Sequence, residues 1–131
     1  MIALAPAFGF SGEPFRQDIP VDKLFPLPGL KAFLERFDYA MHLGAATVIT
    51  GEVGTGKSTS LRAATARLHP SQYVVITVVA TSGSVLELLK QICLELGAPQ
   101  VSSSLARLTK TIRDMLANLT AKKQRPVLVV D

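Results

Sequence analysis

The sequence is poor in the residues that build disulfides and metal centres. Of its 131 residues, one is a cysteine, Cys93, and two are histidines. A single cysteine excludes an internal disulfide and is typical of a reducing compartment, so we expect a cytoplasmic location. Its position on a helical face with Leu89 and Leu96 predicts a buried, inert thiol. His42 and His69 lie far apart with no cysteine or carboxylate cluster nearby, which argues against a histidine-based metal site.

The sequence also lacks a membrane segment and a strong charge bias. No apolar run approaches the roughly 20 residues that a bilayer crossing needs, and residues 1–10 lack the basic start of a signal peptide. The net charge of +4 permits an anionic partner but also fits an ordinary globular protein. The length and the 48% hydrophobic content suit one domain with a core.

A glycine-rich stretch from Gly51 to Ser58 is the most informative feature. It reads Gly-Glu-Val-Gly-Thr-Gly-Lys-Ser and fits a phosphate-binding loop, in which glycines let consecutive N–H groups face a phosphate chain. The apolar segment 45–50 precedes it and the helix-competent segment 58–68 follows, which is the strand-loop-helix context that this motif requires. The predicted nucleotide-binding residues are Gly51, Glu52, Val53, Gly54, Thr55, Gly56, Lys57, Ser58 and Thr59.

Two side chains of this loop and one distant acid predict the cofactors ATP and Mg²⁺. The Lys57 ammonium would reach the β- and γ-phosphates, and the Ser58 hydroxyl would hold the metal. Asp131 follows the apolar segment 126–130, where an acid can support the metal in the Walker B role. We therefore expect Lys57 and Asp131 to be catalytic and Ser58 and Asp131 to be metal ligands. An Asp that only caps the next turn is the alternative.

Apolar periodicity predicts an α/β fold. Segment 73–79 is continuously apolar, which indicates a strand covered on both faces and hence a parallel sheet between two helix layers. Ser84 and Glu87 form a capping box at the start of a helix. The predicted helices are 29–43 (ended by Gly44), 58–68, 85–96 and 105–119, and the predicted strands are 45–50, 73–79 and 126–130.

The last predicted helix and its end are basic. The cations are Arg107, Lys110, Arg113, Lys122, Lys123 and Arg125, with Asp114 as the only acid between the first and the last. A solvated helix face and a nucleic-acid or partner surface both fit this pattern.

Residues 1–28 are rich in proline, glycine and phenylalanine, which predicts an extended arm without regular structure. Residues 29–131 then form the phosphate-loop domain. The aromatic side chains of the arm either pin it to the domain surface, or its end at 24–28 lies near a nucleotide base.

Several of these features together resemble a known family. Phe8-Gly9-Phe10, Pro14-Phe15, the phosphate loop and Val-Leu-Val-Val-Asp at 127–131 look like the AAA+ ATPases of the ExeA (general secretion pathway A) group. Transposition ATPases of the MuB and IstB kind look similar. The resemblance implies a P-loop NTPase fold and nucleotide binding. A homo-oligomer is one of the partner states that the sequence leaves open.

The resemblance also implies parts that follow the Walker B acid: a catalytic Glu, a sensor strand, an arginine finger and a helical lid. We therefore expect an AAA+-like domain truncated after the Walker B strand, which binds nucleotide with little or no turnover. In the family the sensor strand lies between the phosphate-loop strand and the Walker B strand. The chain should then close its sheet differently, borrow a strand or self-associate.

The predicted function is ATP binding that powers a secretion-pathway or DNA-transposition assembly, with hydrolysis in the full-length protein. A small-molecule or nucleoside kinase is one alternative, and pairing of 46–50 with 127–131 would favour it. A DNA-binding adaptor ATPase that uses the basic region 107–125 is another.

Overall fold

The structure of the chain, a computed structural model, describes residues 4–80 and 83–131. Five α-helices and two parallel strands make up its regular structure, together with a short 3-10 turn at Val21–Lys23. The helices are α1 (Leu4–Phe8), α2 (Leu30–Leu43), α3 (Lys57–Ala66), α4 (Val85–Glu95) and α5 (Leu105–Ala121), and the strands are β1 (Tyr73–Val78) and β2 (Arg125–Val130).

The four long helices begin and end close to their predicted bounds, because the signals that set these bounds are local. Gly44 ends α2 in the left-handed conformation, with φ 68°, as a glycine after a helix commonly does. At the start of α4 the Ser84 hydroxyl accepts a hydrogen bond from the Glu87 N–H at 3.4 Å. The predicted stop and the predicted N-cap are therefore confirmed.

The sheet consists of β1 and β2, which pair in parallel from Tyr73 with Arg125 to Val78 with Val130. Helices α4 and α5 pack on one face of it. Three buried side chains form the centre of this core: Ile76, Val78 and Ile92. The partly buried side chains packed against them are Val74, Leu88, Leu89, Leu96, Ile112 and Leu116. The α/β character and the parallel pairing agree with the sequence prediction.

The second face of β1 is open, so the predicted burial on both faces is wrong. Ile76 and Val78 are buried, whereas the residues that precede each of them, Val75 and Thr77, are exposed, Val75 to 37%. The strand thus alternates as a strand covered on one side does. The expected three-layer arrangement is closed only on the side of α4 and α5.

Segment 45–50 forms no strand, which corrects another prediction. It belongs to neither strand of the sheet, and Val48 is 85% exposed. A strand needs the hydrogen-bonding groups of a neighbouring chain segment, and β2 pairs with β1 instead. The pairing of 46–50 with 127–131 that would favour a kinase-like order is absent from the described residues.

The N-terminal arm differs from the prediction in two respects. It contains the short helix α1 and the 3-10 turn, although the prolines predicted no regular structure. Its aromatic side chains do not pin it to the domain, because Phe8, Phe15 and Phe25 are largely exposed. The first three residues of the predicted arm lie outside the described residues.

Among the helices that the structure describes, none combines the length and the apolar character that a bilayer crossing needs.

Candidate functional site

The glycines of the phosphate loop are required by the backbone of the loop. Gly54 and Gly56 have φ values of 80° and 87°, which residues with a Cβ rarely adopt. Gly51 is needed for space, because a Cβ there would lie 2.9 Å from the Thr55 Oγ1. The Thr55 hydroxyl in turn donates to the Glu52 carbonyl at 2.7 Å. The loop is therefore a tight turn that closes on itself.

Helix α3 begins directly at the end of this loop, with Gly56 as its N-cap. Its first internal hydrogen bond runs from the Ser60 N–H to the Gly56 carbonyl at 2.8 Å. The N–H groups of Lys57, Ser58 and Thr59 consequently have no acceptor within the helix, as at any helix start. Together with the helix dipole they favour an anion at this position.

The Lys57 side chain folds back over the loop. Its Nζ donates to the Gly51 and Glu52 carbonyls, both at 2.6 Å. The ammonium is thus held at the mouth of the loop by two neutral acceptors. Phosphate oxygens are stronger acceptors for a cation than carbonyls are, so the ammonium can exchange these contacts for a phosphate.

Ser58 and Asp131 meet although they are far apart in sequence. The Ser58 hydroxyl donates to the two carboxylate oxygens of Asp131 at 3.1 and 3.4 Å. The backbone of Asp131 is fixed at the carboxyl end of β2, because its N–H donates to the Val78 carbonyl at 3.0 Å and its carbonyl accepts from the Ala80 N–H at 2.8 Å. The sheet therefore directs this carboxylate at the first turn of α3.

These residues fit Mg²⁺ and a phosphate chain. A hydroxyl and a carboxylate side by side are the oxygen ligands that Mg²⁺ prefers, and it usually takes one or two such protein ligands together with nucleotide phosphates. The neighbouring loop offers N–H groups, a helix start and an ammonium for the phosphates. The structure thus brings together the predicted Ser58 and Asp131, while the Lys57 ammonium lies on the loop carbonyls.

Two contacts of the N-terminal arm reach the same helix. Sequence patterns did not predict the contact of Arg62, whereas the position of Leu27 fits the alternative in which residues 24–28 lie near the nucleotide. The Arg62 guanidinium on α3 donates to the Gln17 carbonyl at 2.7 Å and to the Ile19 carbonyl at 3.1 Å. The Leu27 Cδ1 lies 3.5 Å from the point where a Cβ on Gly56 would be. An arginine that binds backbone carbonyls leaves no motif, because any residue supplies a carbonyl.

The basic residues do not form one patch. Arg107, Lys110 and Arg113 share the exposed face of α5, opposite the buried Leu108. Lys122 and Lys123 follow the helix at its other end, roughly 13 Å or more further along its axis at 1.5 Å per residue.

Arg125 has a separate environment. Its Nη2 donates to the His42 carbonyl at the end of α2 at 3.3 Å, and its guanidinium lies 6.0 Å from the centre of the Tyr73 ring. The structure therefore divides the predicted basic region into three parts.

Cys93 is fully buried, as predicted, and its Sγ lies 4.0 Å from the Leu108 carbonyl between α4 and α5. Burial raises the pKa of this thiol, because the thiolate would lose its hydration. The residue belongs to the core and is unrelated to the phosphate loop.

Comparison with protein-family profiles matches the AAA domain over residues 41–131. Comparisons with curated proteins and with solved structures find no match. The matched region is more than half of the chain and contains the whole loop, α3, the sheet and Asp131. Such domains are P-loop ATPases that bind nucleotide, generally ATP with Mg²⁺. The chain belongs to the AAA domain family.

Proposed function

We propose that residues 51–59, with Asp131, bind Mg-ATP, and that ATP hydrolysis drives a conformational change in a larger assembly. The contact between Ser58 and Asp131 is the observation that carries the proposal. It joins the phosphate loop to the end of β2 and creates a pair of oxygen ligands next to a helix start.

Each residue of the site has a separate role in the proposal. The loop N–H groups and the start of α3 bind the phosphates, and the Lys57 ammonium moves from the Gly51 and Glu52 carbonyls to the phosphate oxygens. Ser58 and Asp131 would hold Mg²⁺, which supplies positive charge that neutralises the phosphates.

A titration with Mg-ATP tests the proposal. The wild-type chain should bind, and Lys57→Ala should bind at least tenfold more weakly, because each hydrogen bond to a charged group contributes about 1.5–3 kcal/mol. Lys31→Ala on the exposed side of α2 is a matched control. Equal affinity of the wild type and Lys57→Ala would contradict the assignment.

The strand pairing that would favour a kinase is absent from the described residues. β2 pairs with β1, and the segment that leads into the phosphate loop is not its neighbour. In the AAA+ arrangement another strand lies between these two, whereas the kinase-like order would pair them. A kinase would also transfer phosphate from ATP to a small metabolite, which a thin-layer assay with labelled ATP can detect.

The assembly that the ATPase serves is a further part of the proposal. The sequence resemblance points to a secretion-pathway or a DNA-transposition machine in the cytoplasm, with a homo-oligomer as the active form. Pull-down from cells that express the tagged full-length protein, followed by mass spectrometry, separates the two. Secretion components would support one role, and a transposase or DNA the other.

A DNA-binding adaptor remains a second candidate because Arg107, Lys110 and Arg113 lie on one exposed face. Neutralising these three residues should weaken duplex DNA binding and reduce its salt dependence by up to three phosphate contacts. Neutralising Lys122 and Lys123 is the matched control. Absent or salt-independent DNA binding by the full-length protein would remove this candidate.

A further inference from the structure

The N-terminal arm makes polar contacts with the domain, and three of its apolar side chains, Ile19, Val21 and Leu24, are half-buried. Its aromatic side chains give it little apolar burial, since Phe8, Phe15 and Phe25 are 69%, 84% and 78% exposed. Ordering a segment of this length has a large conformational entropy cost, which exposed side chains do not offset. The contacts that fix the arm must therefore come from elsewhere.

Arg62 provides two hydrogen bonds that fix the arm to α3. Its two terminal nitrogens donate to the carbonyls of Gln17 and Ile19, at 2.7 and 3.1 Å, and so hold both sides of Asp18. The Nε of Arg62 is itself buried, which places the guanidinium under the arm. A planar guanidinium can bind two acceptors at fixed spacing, and hydrogen bonds from a charged donor are stronger than neutral ones.

The arm forms a compact turn where Arg62 holds it. The carboxylate of Asp18 pairs with Arg16 on the same turn. This hydrogen bond, with a minor effect from the Arg62 charge, holds the pKa of Asp18 below its ordinary value.

The clamp is connected to the phosphate loop through α3. Arg62 lies five residues after Lys57, or roughly 7.5 Å along the helix. From Ile19 the arm continues through the 3-10 turn at Val21–Lys23, which contacts α3, to Leu27 at the N-cap Gly56. Residues 17–27 therefore run along α3 from Arg62 to the rim of the loop.

We infer that Arg62 is a positioning residue for nucleotide binding: by clamping Gln17 and Ile19 it holds Leu27 at the rim of the phosphate loop, where the arm contacts the nucleoside part of the ligand. The inference rests on the proposed function. It assigns the phosphates to the loop and the nucleoside to the arm. Substitution of Arg62 should therefore change the affinity for a nucleotide more than the affinity for a phosphate chain alone.

The experiment compares Mg-ATP with Mg-tripolyphosphate, which offers phosphates without a nucleoside. Arg62→Met should weaken Mg-ATP binding about tenfold and change tripolyphosphate binding less than twofold. The Mg-ATP affinity of Arg62→Lys should lie between those of the wild type and Arg62→Met, because an ammonium keeps the charge but lacks the planar fork. Arg67→Met, which removes the ion pair with Asp38 at the end of the same helix, is the matched control and should leave both affinities within twofold.

Limited proteolysis gives a second measure that does not depend on nucleotide. Chymotrypsin should cut the arm after Phe15 several times faster in Arg62→Met than in Arg67→Met, with unchanged helix content by circular dichroism. If Arg62→Met does not fold, Arg62→Lys takes its place, and wild-type Mg-ATP affinity in that variant would overturn the inference.

The outcomes separate this inference from the proposed function. Lys57→Ala should lose affinity for both ligands, and wild-type binding by that variant contradicts the proposed function. Equal Mg-ATP affinity of Arg62→Met and Arg67→Met contradicts the inference alone. So does a loss of tripolyphosphate affinity in Arg62→Met as large as the loss for Mg-ATP, since Arg62 would then act on the loop itself.

Discussion

The Ser58 hydroxyl lies 3.1 Å from a carboxylate oxygen of Asp131, although 73 residues separate the two in the chain. One residue stands in the first turn of α3 and the other at the carboxyl end of β2. Their contact gives the site its pair of oxygen ligands and links the phosphate loop to the sheet. The first prediction concerns this pair.

Ser58→Ala and Asp131→Asn should each weaken ATP binding about tenfold in excess Mg²⁺ and less than twofold in EDTA, because both residues act through the metal. The double variant should bind ATP nearly as tightly as the single variant that binds more weakly, since both residues act through the same Mg²⁺ ion. Isothermal titration measures the affinities, with Asp114→Asn on α5 as the control. An equal loss in EDTA would show that the pair does not act through Mg²⁺.

Gly51→Ala should weaken Mg-ATP binding about tenfold, because the new Cβ would push on the Thr55 hydroxyl and break its hydrogen bond to Glu52. In a Thr55→Ala background the same change should cost only about threefold, which a double-mutant cycle detects. Gly12→Ala is the control, since nothing lies within 4 Å of a Cβ there. Additive effects would contradict the steric explanation.

Leu108→Ala should lower the free energy of unfolding by about 2–5 kcal/mol, because this side chain is 1% exposed and its removal leaves a cavity between α4 and α5. Leu105→Ala on the same helix removes the same atoms from a side chain that is 51% exposed, and it should change stability by less than about 0.5 kcal/mol. Urea unfolding followed by circular dichroism compares them. Similar losses would place Leu108 outside the core.

The buried Cys93 thiol should react slowly with iodoacetamide in the folded protein and rapidly in urea, because the reactive species is the thiolate. Since burial raises its pKa, the unfolded chain ionises first as the pH rises. The thiol's contribution to stability is therefore complete below the ordinary thiol pKa and is lost as the pH rises towards the folded value. Cys93→Ala should flatten this alkaline loss, and an unchanged pH profile would contradict the assignment.

Local features of this fold could be predicted from the sequence. Gly44 adopts positive φ directly after its helix, and Ser84 accepts the N-cap hydrogen bond. The phosphate loop turns as its three glycines require. Each of these features depends on residues within about four positions along the chain, so the sequence contains the whole signal.

Features that need distant partners were predicted less well. Segment 45–50 has the apolar residues of a strand, yet it lies outside the sheet and Val48 is exposed. The apolar run of β1 suggested burial on both faces, but Val75 is half-open to solvent because the helices cover only the other side. The exposed aromatics of the arm and the role of Arg62 were missed for the same reason.

By itself the sequence determined the phosphate loop, the helices around it and the presence of an acid at the end of the last apolar strand. Only the tertiary structure decided that β2 pairs with β1, that Asp131 therefore faces Ser58, and that Arg62 holds the arm beside α3. The physical reason is that helix ends and glycine turns are set by neighbouring residues. Strand pairing and side-chain contacts depend on which distant segments the folded chain brings together.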